Sequence, residues 1–124
     1  MQTQGIFLSW IVVKDLPKAI KFYTEVAGLQ LKEYHEQFGW AELSGPNGSS
    51  LGIGQENNDD PIKAGQNAVV TITVDNIEEA KTHFAKKGAH LIGETIEIPG
   101  HVKLQTFIDT DGNKLQLVEN LMVD

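Results

Sequence analysis

The spacing of apolar residues changes period several times along this chain, and each change predicts an element. Over residues 6–13 the pattern alternates, with Ile11 and Val13 on one face and Leu8, Trp10 and Val12 on the other, as in a first strand. Asp15 followed by Pro17 marks a helix start. Leu16, Ala19, Ile20, Tyr23, Val26 and Ala27 then recur at helical spacing, and Gly28 is predicted to end that helix as a left-handed cap. Residues 29–34, 38–43 and 49–54 read as three further strands, the last two joined by a turn at Pro46, Asn47 and Gly48. Residues 55–61 are polar and aperiodic, which reads as a solvated connection or as a flap over a site.

The second half repeats this order. A strand is predicted over 69–74, a helix capped by Asn76 with Glu79 three residues on, and a stop at Gly88. Strand segments follow over 89–93, 96–98, 102–109 and 114–119, the last pair joined by a two-residue hairpin turn at Asp111 and Gly112. The run beginning at Asp15 aligns with that beginning at Asn76. The run beginning at Asn47 aligns with that beginning at Asp111, at nearly the same offset. The chain therefore reads as two copies of a strand–helix–three-strand unit, module 1 over about 5–56 and module 2 over about 66–120. Ile11, Val13, Leu51, Ile53, Val70, Ile72, Val74, Leu115 and Leu117 form uniformly apolar faces that belong under the helices. The opposite faces are mixed and contain Gly52 and Gly54, as a curved sheet around a cleft requires.

Composition narrows the partners more than the fold. One domain is expected from 124 residues, and no cysteine is present for disulfides, thiolate metal sites or thiol nucleophiles. Seventeen acidic against ten basic residues give a net charge of −7, which disfavours nucleic acid and anionic membrane as partners. No signal peptide or membrane-length apolar run is read, so a cytoplasmic location is expected.

The alignment of the two halves carries a resemblance. Residues 12–23 with Gly28 and Leu29 behind them, and residues 109–119, together resemble the vicinal oxygen chelate superfamily of glyoxalases, bleomycin resistance proteins and extradiol dioxygenases. The resemblance covers nearly the whole chain. It implies an α+β fold of two tandem βαβββ modules, a curved mixed β-sheet around a cleft and helices on the outer face. It also implies a divalent metal held by side chains from the first and last strands of each module. Those four places hold Leu8, Gly52, Val69 and Gln116 here, so no metal or other cofactor is expected at the family position. A metal at a non-standard site, for example one using His101 with Glu42 or Glu33, is the alternative.

His35, His83, His90 and His101 show no ligand spacing; His83 reads as surface and His101 as the one nearest a cleft rim. Glu42 is in phase with Trp40, and a carboxylate in an apolar cleft could serve as acid or base. Trp10 and Trp40 offer flat surfaces for an aromatic ligand, or equally for core or interface packing. No phosphate loop or serine triad is present. The expected ligand pocket comprises Leu8, Trp10, Trp40, Glu42, Gly52, Val69, Thr71 and Gln116, with His101 at its edge. The expected function is metal-free binding of a small, aromatic or planar molecule, in a homodimer by resemblance. The alternatives are a lyase, isomerase or dioxygenase using Glu42 or a non-standard metal site, and a scaffold with a filled pocket.

Overall fold

The computed structural model describes residues 1, 4, 7–59, 62–66 and 69–122. Residues 5, 6, 60, 61, 67 and 68, which the expected first strand, loop and two modules also take in, lie outside them. Module 1 runs β1 (Ser9–Val13), α1 (Leu16–Lys21), β2 (Gln30–His35), β3 (Trp40–Ser44) and β4 (Ser50–Gln55). Module 2 runs β5 (Val70–Thr73), α2 (Ile77–Lys86), β6 (His90–Ile98), β7 (Val102–Ile108) and β8 (Lys114–Asn120). Each builds a four-stranded mixed sheet, in the orders β1-β4-β3-β2 and β5-β8-β7-β6. In both sheets the first strand pairs parallel to the last, and the others pair antiparallel. The α+β fold is thus one topology used twice.

The duplication extends to the caps. Asp15 and Asn76 both stand in extended backbone, and each side-chain oxygen accepts from the backbone N–H three residues on, at 3.1 Å from Lys18 and 3.0 Å from Glu79. The helix-covered faces of both sheets meet in one hydrophobic cluster. Phe22 stacks on Phe107 at 6.4 Å, and Phe84 meets Phe107 edge-on at 5.0 Å, so aromatic rings from both modules join at its centre. Ile11, Val13, Leu51, Ile53, Leu115 and Leu117 are all buried there, in the phase the alternation predicts.

Three local expectations need correction. The first helix is not uniformly α-helical to Gly28. It turns π-helical over Phe22–Val26, and the Thr24 hydroxyl donates to the Ile20 carbonyl at 2.8 Å, a back-bond of the kind that opens a helix. The 89–93 and 96–98 segments are one strand, β6, with an irregularity between Ile92 and Ile96. Buried Gln105 satisfies that irregularity: its Nε2 donates to the Ile92 and Gly93 carbonyls at 3.1 and 3.2 Å, and its Oε1 accepts from Thr95 at 3.0 Å. Finally, β7 and β8 are joined by five residues, 109–113, rather than a two-residue turn. The Asp109 carboxylate accepts from the Asp111 and Asn113 N–H groups, both at 2.9 Å, and organises the longer loop around itself.

Candidate functional site: an aromatic pocket over paired glycines

Strand register builds the site. β1, β4 and β3 lie side by side, so Trp10, Gly52 and Glu42 form one rung and Val12, Gly54 and Trp40 the next. All six share the sheet face turned away from the helices. The two glycines leave that face without Cβ atoms where the indoles lie. A Cβ on Gly52 would fall against Cη2 of Trp40, 2.7 Å from its Cζ2 and 3.0 Å from the Trp10 Cβ. A Cβ on Gly54 would stand 3.1 Å from Cζ3 of Trp10. Trp10 therefore leans over the Gly54 rung and Trp40 over the Gly52 rung. The ring centroids are 5.8 Å apart with planes tilted by 59°, a favourable aromatic separation. Neither glycine has positive φ, so glycine serves here for room and not for backbone freedom.

A pocket of about 180 Å³ opens beside the two rings, lined by Trp10, Val12, Phe38, Gly39, Trp40, Gly54, Gln55, Asn57 and Ile62. Asn57 and Ile62 belong to the connection after β4 and contribute to the wall of the pocket. Gln55 anchors the start of that wall. Its Oε1 accepts from the Leu16 N–H at 2.8 Å and its Nε2 donates to the Lys14 carbonyl at 2.6 Å, tying β4 to the turn before α1.

Module 2 braces the same pocket through the 109–113 loop. Buried Asn113 donates through Nδ2 to the carbonyl of Val12, a pocket residue, at 3.1 Å and to Asp109 at 2.9 Å. Its Oδ1 accepts from the Gly65 N–H at 2.6 Å, three residues beyond Ile62. Asp109 also accepts from the Tyr23 hydroxyl at 2.8 Å. Burial, reinforced by the Asp109 charge, raises the Tyr23 phenol far above its ordinary range and keeps it a donor. Asp111 accepts from the Lys14 N–H at 2.8 Å. Burial raises its carboxyl above the usual carboxylate value and the neighbouring Asp109 adds to this, against the lowering effect of the Lys14 N–H.

The nine residues expected from sequence divide between the sheets. Trp10, Trp40 and Gly52 come together as described, with Glu42 beside Gly52 in register. Leu8, half-buried, precedes β1 in the same phase as Trp10. Thr71 and Gln116 form a rung of the second sheet with Thr106, exposed Val69 precedes β5, and of the nine expected residues only Trp10 and Trp40 line the pocket itself. His101 is exposed in the turn joining β6 to β7. His83 stands 3.0 Å from the Val26 carbonyl and so links α2 to the end of the first helical segment, a contact its exposed helical position does not reveal. Val12 and Gly54 were readable from phase alone. Phe38, Gly39, Asn57 and Ile62 were not, because turn and loop geometry places them, and Gln55 was expected in the loop but ends β4 opposite Val13.

The divalent metal implied by the resemblance does not fit these residues. Leu8 and Val69 present hydrocarbon, Gly52 presents no side chain and Trp40 covers it, and Gln116 offers one amide oxygen. Among the described residues no three His, Asp or Glu side chains are grouped to hold an ion. No described helix is long and apolar enough to cross a membrane.

Comparison with known proteins agrees with this architecture. The family model of the Glyoxalase/Bleomycin resistance protein/Dioxygenase superfamily matches residues 5–117. No curated protein matches. Among solved structures, the chain is similar to TnmS3, an antibiotic binding protein from Streptomyces sp. CB03234, with 18% identity, a TM-score of 0.76 and coverage of 96% of this chain and 99% of that one. It is also similar to a putative glyoxalase family protein from Bacillus anthracis, with 24% identity, a TM-score of 0.75 and coverage of 97% and 98%. An integron cassette protein from the mobile metagenome of Halifax Harbour sewage outfall gives 22% identity, a TM-score of 0.77 and coverage of 94% and 99%. At these identities the structural likenesses speak for the fold, while the family match over residues 5–117 speaks for descent: this chain belongs to the glyoxalase/bleomycin resistance protein/dioxygenase superfamily.

Proposed function

We propose that this protein binds a small planar or aromatic molecule in the Trp10–Trp40 pocket, without a metal at the family position. One observation carries the reading: two glycines, side by side with two tryptophans, hold indole rings against an open cavity on the face where the family places its chemistry. The aromatic walls suit stacking of a planar ring, and Gln55 and Asn57 beside them offer polar groups to orient it. A binding role accords with the similarity to TnmS3, an antibiotic binding protein, though that ligand belongs to TnmS3. Trp40→Ala should remove one wall and weaken binding by about tenfold or more, while far-ultraviolet circular dichroism stays unchanged. Intrinsic fluorescence titration against a panel of aromatic compounds tests this. If no compound quenches saturably, the reading fails.

A homodimer is part of the same proposal. Ile92, Ile96 and Ile98 share the open face of the second sheet with Thr106, Leu104 and Val102, and are 37%, 58% and 48% exposed. Gln116 and Thr71 lie on that face as well. A second copy covering it would shield this apolar surface and bring Val69, Thr71 and Gln116 toward a shared cleft. Ile96→Lys should then shift the mass measured by light scattering from dimer to monomer, and a wild-type monomer at all concentrations would exclude the arrangement.

A further inference from the structure

We propose that the Trp10–Trp40 pocket selects its ligand by size, admitting one aromatic ring or two fused rings and refusing three. This rests on the binding role proposed above and names the class of ligand that role selects.

The cavity sets the scale. Its volume of about 180 Å³ lies below the ~300–1,000 Å³ of sites that enclose drug-sized molecules. A cavity of ~150 Å³ takes a benzene ring. At the ~0.75 packing density of protein interiors, a space of about 180 Å³ holds roughly 135 Å³ of ligand atoms, enough for two fused aromatic rings.

Such a limit operates only where the walls cannot yield, and here each wall is held by its own contacts. The indoles cannot sink into the sheet, because they already fill the space that Cβ atoms on Gly52 and Gly54 would take. Val12, between them and the core, is buried. Phe38 ends a single helical turn closed by Gly39, whose φ of 65° is left-handed. The Gly39 N–H donates to the Glu36 carbonyl at 3.1 Å, and its carbonyl accepts from the Gln55 N–H at 2.8 Å, so the turn that carries Phe38 is fastened to β4.

The wall that carries Asn57 and Ile62 is fastened on both sides. The Glu56 N–H donates to the Val13 carbonyl at 2.7 Å, and the Glu56 carboxylate accepts from the Ala64 N–H at 3.0 Å. The Lys63 ammonium donates to the Asn57 carbonyl at 2.9 Å. Beyond Ile62, the Gly65 N–H donates to buried Asn113 at 2.6 Å. Moving this wall outward to seat a third ring would break several of these bonds, whereas one or two rings enter with the bonds intact.

The test uses phenol, 2-naphthol and 9-phenanthrol, which carry the same hydroxyl on one, two and three fused rings. Calorimetry reads affinity, and the indole N–H resonances report binding at the two rings. On an open apolar surface each added ring buries more area, so affinity would rise at every step. The size limit instead predicts tightest binding for 2-naphthol, with 9-phenanthrol about tenfold weaker. Ile62→Ala widens one wall and should bring 9-phenanthrol at least level with 2-naphthol, leaving phenol no tighter than in wild type. Phe38→Ala, at a largely exposed side chain, is the second variant and should act in the same direction. Affinity that climbs through all three compounds in the wild-type protein overturns the size limit and leaves the pocket in place. Rejection of 9-phenanthrol that neither variant relieves overturns the assignment of these walls as the limit. Failure of all three compounds to bind overturns the proposal together with the binding role.

Discussion

Gly52→Ala adds a single methyl group where the structure has least room for one. The new Cβ would lie against the Trp40 indole, 2.7 Å from Cζ2, and 3.0 Å from the Cβ of Trp10. Both neighbours are held: Trp40 by its own strand and the Trp10 ring, Trp10 by the β1–β4 pairing. Overpacking of this kind typically costs ~1–3 kcal/mol. Alanine recovers ~0.5–1 kcal/mol over glycine in a strand, because Gly52 does not use a positive φ. The balance is a net loss of about 0.5–2 kcal/mol. The relief is outward rotation of Trp40, which would close or reshape the pocket and alter the exciton signal between the rings. Gly54→Ala, whose Cβ stands 3.1 Å from Trp10, should cost less. The double variant Gly52→Ala with Trp40→Ala should cost less than the sum of the single changes, since removing the ring removes the clash. Urea unfolding followed by circular dichroism measures the energies, and near-ultraviolet circular dichroism reports the ring geometry. A Gly52→Ala protein at least as stable as wild type, with an unchanged near-ultraviolet spectrum, would refute the placement of Trp40 over Gly52.

Further expectations concern the bracing loop and the second sheet. Tyr23→Phe deletes a buried donor to Asp109 and should lower stability by ~1.5–3 kcal/mol in urea titrations, because Asp109 loses one of its partners. Asn113→Ala should cost at least as much, and should also weaken ligand binding, since both the Val12 and Gly65 contacts disappear. Asp111 has a raised folded-state pKa, so the native state holds its proton more tightly than the unfolded chain. Its contribution is therefore most favourable in acid and is lost as pH rises through the folded-state value. Asp111→Asn keeps an oxygen acceptor for the Lys14 N–H and should be at least as stable as wild type at neutral pH, the difference shrinking toward acid; a constant difference across that range would count against the shift.

Much of the fold was legible because two signals agreed. Alternation placed Ile11, Val13, Leu51 and Leu115 on buried faces, and repetition of Asp15 and Asn76 as caps confirmed the phase in each half. What stayed hidden depends on contacts far apart in sequence. Gln105 looks like any polar strand residue until the β6 irregularity gives its amide something to bond. Asn113 follows a turn and reads as a solvent residue, yet it is buried, its amide donating to the carbonyl of Val12, 101 residues away. Trp10 and Trp40 could be named from their shared sheet face, but Phe38, Asn57 and Ile62 enter the pocket through loop geometry that no periodicity encodes. Val69, Thr71 and Gln116 share that phase in module 2, yet phase does not say that they stand on a separate sheet.

The chain has only two tryptophans, and both border the proposed site. Their indole N–H resonances therefore give two direct reporters in a nitrogen-correlated NMR spectrum. Titration with a compound that binds by calorimetry should move both indole signals saturably, with the same affinity that calorimetry reports. Saturable binding that leaves both indole signals in place, with changes elsewhere on the protein, would contradict the assignment of the Trp10–Trp40 pocket as the ligand site.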